Sequence, residues 1–133
     1  MLPHVIAYNA AVPTKFLPSP YQQGYVAHKK YATIADLLGL GGHTIDEKVN
    51  KLVAATEQLL DQLGFPRSIA ELGISRTEFE RAMPDLTKLA FDDPSWRSNP
   101  RMPLMSELTD LYWKAYEGRG TAKARSVNQE QTV

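Results

Sequence analysis

The sequence predicts an all-α fold on three observations. Apolar residues recur every three or four positions in several segments, which is the spacing of one helix face. Several of these segments begin with serine or threonine three residues before glutamate, and glycine follows the ends of others. No segment alternates apolar and polar residues as a half-buried strand would.

Two helices are predicted before residue 40. Residues 1–11 are mostly apolar, with Pro3 in the first turn, and their start without a polar N-cap indicates truncation. Residues 12–23 contain three prolines and predict an extended connector. Residues 24–38 carry a second apolar face, and Gly39 follows as the terminating residue.

The strongest predicted helix covers residues 44–63. Thr44 and Glu47 form a capping box at its start, and Gly64 ends it. Its apolar stripe consists of Ile45, Val49, Leu52, Val53, Thr56, Leu59, Leu60 and Leu63. Because burying one leucine contributes about 1.5–3 kcal/mol, the whole stripe is expected to face a core.

The second half of the chain is expected to hold a short helical turn at residues 68–72 and two longer helices. The first longer helix begins at Ser75, which is expected to form a capping box with Glu78, and Pro84 should kink or split the helix near Ala82. Ser106 is expected to cap the last helix, which ends at Gly118. We therefore predict a helical domain at residues 1–117 and a disordered tail at residues 118–133.

Composition limits the classes of partner. Lys+Arg and Asp+Glu are 15 each, and this balance argues against nucleic-acid binding and against a basic membrane-binding patch. The chain has no cysteine, which excludes disulfides and thiolate nucleophiles. No apolar run approaches the roughly 18 residues of a membrane span, and no signal peptide opens the chain. These features predict a soluble cytoplasmic domain, or part of one, without a nucleic-acid or membrane partner.

The polar segment, residues 91–101, reads FDDPSWRSNPR and is expected to form a non-periodic loop between helices. Asp92 and Asp93 are candidates for a general acid/base pair, but adjacent aspartates after a helix more often cap a turn. Arg101 is a candidate anion clamp or a partner for these aspartates. Trp96 either lines an apolar pocket or covers the end of the core.

Three histidines, His4, His28 and His43, are the only soft metal ligands. None stands at helical spacing from another histidine or a well-placed carboxylate, so no metal site built from this chain is predicted. We expect His28 and His43 to be solvated and His4 to be packed or capping. Residue chemistry alone predicts no catalytic residue and no cofactor-binding residue.

The order of several short motifs resembles the C-terminal end of the iron-dependent (group III) alcohol dehydrogenases. Within that family, the alcohol dehydrogenase half of the bifunctional aldehyde–alcohol dehydrogenases is most similar. The resemblance runs from Leu2 to about Tyr116, and its motifs lie at residues 2–5, 8–9, 13–15, 31–36, 38–41, 63–66, 68–69, 90–93, 99–101 and 103–104.

The resemblance implies that the chain is the C-terminal portion of a helical, metal-binding domain. The complete enzyme would interconvert a primary alcohol and an aldehyde, ethanol and acetaldehyde above all, with Fe²⁺ and NAD(P). The family's metal ligands and glycine-rich cofactor loop lie upstream, so His4 is not carried over as a ligand. The isolated chain is therefore expected to be inactive and to bind neither group tightly.

The resemblance also implies a substrate-pocket role for part of the polar segment. Ser95 stands where the family often has a cysteine, and Trp96 follows where a small polar residue is commoner. We expect both to wall the substrate pocket. The expected partners are the remainder of the dehydrogenase and other copies of the enzyme, through homo-oligomer or filament contacts. The alternative is a small non-catalytic helical interaction module, which explains the caps but not the order of motifs.

Overall fold

The structure, a computed structural model, describes residues 1–13 and 24–118, and the regular elements in these ranges are all helical. The predicted all-α fold is confirmed. The predicted tail beyond residue 118, like most of the predicted connector, lies outside the described residues. The α-helices are α1 (Leu2–Ala10), α2 (Ala27–Leu37), α3 (Ile45–Gln62), α4 (Arg76–Asp92) and α5 (Met105–Glu117), with 3₁₀ helices at Ala70–Leu72 and Pro94–Ser98.

The first core lies among α1, α2 and α3, and we call it the small-residue core. It joins Ile6, Ala35 and Leu52, each from a different helix, and Ala35 is completely buried. An alanine at this point lets the three helix backbones approach closely. Pro3, in the first turn of α1, is also fully buried, as its fixed φ and missing donor permit at that position.

Helix α3 is only half covered. Its capping box forms as predicted, since the Glu47 amide donates to the Thr44 hydroxyl oxygen over 3.1 Å. Within its apolar stripe, however, only Val49 and Leu52 are buried, whereas Leu59 is 53% exposed. The prediction that the whole stripe faces a core is wrong for its exposed residues, among them Leu59 and Leu63. The described helices pack on α3 without covering its C-terminal half.

The second core lies between α4 and α5, and we call it the aromatic core. The ring of Phe79 stacks on that of Tyr116 at 4.5 Å, and Trp113 meets Phe79 edge-on at 5.2 Å. The Tyr116 hydroxyl donates to the carbonyl of Ile74 over 3.0 Å. Buried aromatic pairs of this kind contribute area and a preferred ring geometry, which together fix the angle at which α5 lies on α4.

Two predicted features of these helices are corrected. Of the two outcomes predicted for Pro84, a kink or a split, the split does not occur, and α4 is one continuous helix. Proline removes only one backbone hydrogen bond, while Phe79, Met83 and Thr87 remain buried along one face of the helix. Ser106 does not cap α5, because that helix already begins at Met105. Instead the Leu104 amide donates to the Glu107 carboxylate over 2.8 Å.

Candidate functional site

The polar segment is more regular than its composition predicts. Helix α4 continues through Phe91 and Asp92, and a 3₁₀ helix occupies Pro94–Ser98. The expectation of a non-periodic loop is therefore wrong for most of these residues. Proline at the start of a helix costs no hydrogen bond, and Asp93 supplies the cap that this short helix needs.

The aspartates at the start of the segment have local, solvent-exposed roles. Asp92 forms an ion pair with Lys88, one turn earlier on α4. Asp93 accepts from the backbone amide of Ser95 over 2.7 Å and so caps the 3₁₀ helix. Hydrogen bonds from Ser95 hold the pKa of the Asp93 carboxyl below its ordinary value. Of the two readings of this pair, the geometry supports the structural one.

The other end of the polar segment is tied to α1. Asn9 is 3% exposed, and its side-chain Nδ2 donates to the side-chain Oδ1 of Asn99 over 2.8 Å. The Asn99 amide donates in return to the Asn9 oxygen over 2.9 Å. This reciprocal pair satisfies both buried amides and fixes the end of the 3₁₀ helix against α1.

Arg101 extends the same attachment. Its Nη1 donates to the carbonyl of Tyr8 over 3.0 Å, and its Nη2 donates to the Glu107 carboxylate over 2.9 Å. The guanidinium carbon lies 4.1 Å from the centre of the Tyr8 ring. Arg101 therefore pairs with Glu107 on α5, not with Asp92 or Asp93, the partners that sequence proximity favoured.

Tyr8 completes this buried network. Its hydroxyl donates to the second Glu107 carboxylate oxygen over 2.9 Å. Burial, followed by the hydrogen bond to Glu107, raises the pKa of the Tyr8 hydroxyl, and the nearby Arg101 charge only partly opposes this shift. The tyrosine therefore stays protonated across the physiological pH range and acts as a donor.

Ser95 and Trp96 lie on one cavity, which we call the wall cavity. It has a volume of about 260 Å³ and lies among α1, the end of α4, the polar segment and α5. Trp96 also stacks on Phe91 at 6.4 Å, and of its two predicted roles the structure shows it lining a cavity. The cavity lining consists of Val5, Tyr8, Ala90, Ser95, Trp96, Asn99, Pro103, Leu108 and Leu111.

The histidines occupy separate places. His43 is exposed as expected, but His28 is partly buried, stacks on Tyr25 at 5.9 Å and has its Nδ1 closed off from solvent, so the expectation for His28 is wrong. His4 lines a neighbouring cavity of about 330 Å³ together with Arg101 and Glu107. Within residues 1–13 and 24–118, no group of three or more histidine, aspartate or glutamate side chains could hold a metal ion. The iron that the resemblance implies therefore does not fit a site among these residues.

Comparison with known proteins identifies the family. A profile described as "Fe-containing alcohol dehydrogenase family, C-terminal" matches residues 1–116. The chain belongs to this family. The match covers all five described helices except the last residue of α5, and with it the Asn9–Asn99 pair, the Arg101 network and the wall cavity.

Named relatives confirm the predicted likeness to bifunctional enzymes. The bifunctional aldehyde-alcohol dehydrogenase of Escherichia coli (strain K12) is 36% identical over 98% of this chain, and the aldehyde-alcohol dehydrogenase of Clostridium acetobutylicum is 34% identical over 88%. The NADPH-dependent butanol dehydrogenase of Clostridium saccharobutylicum is 26% identical over 88%. The chain spans only 15%, 14% and 26% of these relatives' lengths.

None of the described helices is long and apolar enough to cross a membrane.

Sequence reasoning from residue types missed three members of the buried network: Tyr8, Asn9 and Glu107. Tyr8 and Asn9 stand in one of the family-like motifs, which was the available signal. Glu107 lies three residues after Leu104, the glutamate position of a capping box, but no serine or threonine precedes it at that spacing to mark it. Their partners are about ninety residues away in the chain, beyond the reach of local patterns.

Proposed function

We propose that this chain is the C-terminal helical part of an enzyme that interconverts a primary alcohol and an aldehyde with NAD(P), and that Ser95 and Trp96 help wall its substrate pocket. One observation carries the proposal: the two residues singled out by their place in the family pattern line the same small cavity. At about 260 Å³ it is smaller than the usual range for drug-sized ligands, as a short aliphatic alcohol requires.

The remainder of the dehydrogenase is the proposed partner. Large apolar side chains on the described surface support this, including Leu37 at 82% exposed, Leu38 at 61% and Leu63 at 61%. Where such side chains form one contiguous patch, that patch usually marks an interface. The remainder of the dehydrogenase would supply the cofactor domain and the iron ligands. The complete enzyme would work in the cytoplasm on ethanol and acetaldehyde. Homo-oligomer or filament contacts belong to the same proposal.

The reading frame upstream of Met1 provides the first test. The enzyme fragment requires an in-frame Pro-His-Gly-x-x-Asn segment shortly before Met1. A stop codon beside a ribosome-binding site would instead favour the small interaction module. A titration of the isolated chain with Fe²⁺ tests a separate part of the proposal, because stoichiometric binding would contradict upstream iron ligands.

Substitutions in the wall cavity test the pocket role directly. In the complete enzyme, Ser95→Ala combined with Trp96→Ala should shift the ratio of kcat/KM between ethanol and longer primary alcohols by roughly tenfold or more, because the enlarged pocket gains room for extra methylenes. Steady-state kinetics across a chain-length series measure this ratio.

Ser106→Ala is the matched control for this experiment. Ser106 is exposed in the first turn of α5, and it does not line the wall cavity. Its removal should leave the chain-length preference as it is. An unchanged preference in the Ser95 and Trp96 double variant would show that these residues have a structural role only.

A further inference from the structure

We infer that Arg101 is a positioning residue that ties the Tyr8 wall of the cavity to the Trp96 wall and so sets the cavity's shape. This inference rests on the proposed function, in which the wall cavity is part of the substrate pocket. It goes further by naming a residue that lies outside the cavity lining yet controls the distance between two of its walls.

The contact with the Tyr8 wall is direct. The Arg101 guanidinium lies over the Tyr8 ring at 4.1 Å, and its Nη1 donates to two carbonyls at the C-terminal end of α1, that of Tyr8 over 3.0 Å and that of Ala11 over 3.4 Å. A cation at this end of a helix also meets the negative end of the helix dipole. Arg101 therefore holds both the ring and the backbone of the residue that forms this wall.

The contact with the Trp96 wall passes through one residue. The Asn99 backbone amide donates to the carbonyl of Trp96 over 2.9 Å, which closes the 3₁₀ helix. The Asn99 side-chain amide donates to the carbonyl of Arg101. A shift of the Arg101 backbone would therefore be passed to Trp96 through two consecutive hydrogen bonds.

The geometry requires arginine and not merely a positive charge. Arg101 is 16% exposed at its side chain and Glu107 is 21% exposed, so water supplies little of their solvation. The planar guanidinium reaches the Tyr8 carbonyl and the Glu107 carboxylate at once with two different nitrogens. A lysine ammonium carries its three N–H donors on one nitrogen, so it cannot reproduce the two separate donor positions that Nη1 and Nη2 provide.

Trp96 can report its own position. The sequence has two tryptophans, so Trp113→Phe leaves Trp96 as the sole indole and keeps an aromatic ring in the aromatic core. In this background of the 133-residue chain, Arg101→Lys should raise acrylamide quenching of Trp96 fluorescence roughly twofold, because the wall opens locally while the helices stay folded. Circular dichroism checks the helix content of each variant.

The matched control is Tyr116→Phe, which removes one buried hydrogen bond, to Ile74, in the other core. It should lower the Tm while leaving Trp96 quenching unchanged, which separates positioning from a general loss of stability. Where Arg101→Lys fails to fold, Glu107→Gln weakens the same contact without changing side-chain size. Unchanged quenching in a folded Arg101→Lys or Glu107→Gln variant would overturn the inference.

Kinetics of the complete enzyme separate this inference from the proposed function. Arg101→Lys should shift the chain-length preference in the same direction as Trp96→Ala, and its effect should vanish when Trp96 is already alanine. Increased quenching with an unchanged alcohol preference would support positioning but contradict the pocket role. A shifted preference in Trp96→Ala without any effect of Arg101→Lys on quenching would support the pocket role alone.

Discussion

The two ends of the polar segment each combine polar residues with a proline, but their surroundings differ. At the aspartate end, Asp92 and Asp93 are exposed and bond only to residues within four positions in the chain. At the other end, Asn99 and Arg101 are partly buried and bond to residues of α1 about ninety positions away. The segment is therefore a locally capped turn at one end and a tertiary attachment at the other.

This difference shows that charge and turn propensity do not predict which residues contribute most to the stability of the fold. An exposed ion pair gains little because water solvates both charges when the pair is broken. A buried pair costs much more to break from one side, because the remaining charge stays desolvated and unpaired. The distant contacts of Arg101 should therefore outweigh the local contacts of both aspartates.

The largest expected effect comes from removing Arg101. Arg101→Ala should lower the free energy of unfolding by up to about 3–5 kcal/mol, because the largely buried Glu107 carboxylate would lose its cation and keep only the Tyr8 hydroxyl and the Leu104 amide as donors. Urea denaturation of the 133-residue chain measures it. Arg67→Ala is the control, since Arg67 pairs with Asp61 at 62% and 34% exposure and should cost no more than about 1 kcal/mol. Equal losses in the two variants would remove the distinction between buried and exposed pairs.

The asparagine pair should give an intermediate effect. Asn9→Ala and Asn99→Ala should each cost about 1–3 kcal/mol, because each removes a hydrogen-bond partner from the side-chain amide that remains, which is buried in Asn9 and partly buried in Asn99. The double variant should cost less than the sum of the two, with a coupling of roughly 0.5–3 kcal/mol. Denaturant unfolding of all four members of the cycle gives this coupling. If the two free-energy losses were strictly additive, the hydrogen bonds between Asn9 and Asn99 would make no contribution to stability.

The smallest effect is expected at Asp93 and depends on pH. The pKa of this carboxyl is lowered in the folded chain, so its charge stabilises the fold above the ordinary carboxyl pKa of about 4. That contribution is lost as the pH falls through the lowered folded value. Asp93→Asn keeps an acceptor for the Ser95 amide, so its Tm should lie slightly below that of the parent at neutral pH. The two Tm values should converge in acid.

Lys88→Ala serves as the control for this titration because it breaks only the exposed ion pair with Asp92. Its Tm should follow that of the parent closely at neutral pH. A gap between Asp93→Asn and the parent that persists in acid would show that the amide substitution disturbs packing, and that the Asp93 charge is not the cause.

Much of the local structure was predictable. The capping boxes at Thr44 and Ser75 formed as predicted, because a cap depends on residues three positions apart. Local pattern could not decide between a kinked and a split α4, because the buried face that holds Pro84 in place includes contacts from α5. Likewise, periodicity identified the stripe of α3 but not which part of it is covered, since that depends on the helices packed beside it.

For the candidate site, the family-like motifs pointed to Ser95 and Trp96, and the capping role of Asp93 followed from residue type alone. The wall cavity itself was beyond sequence reasoning, because its lining comes from four separate parts of the chain. The roles of Tyr8, Asn9 and Glu107 were missed for the same reason.

The sequence by itself determined the helical class, the positions of the main caps and the family, because these depend on local spacing and on the order of short motifs. Only the tertiary structure decided that Arg101 pairs with Glu107 and not with the nearby aspartates. The physical reason is that folding brings the C-terminal end of α1 and the start of α5 within hydrogen-bonding distance of the Arg101 guanidinium. Because these groups are partly buried, their hydrogen bonds with Arg101 are stronger than hydrogen bonds exposed to solvent.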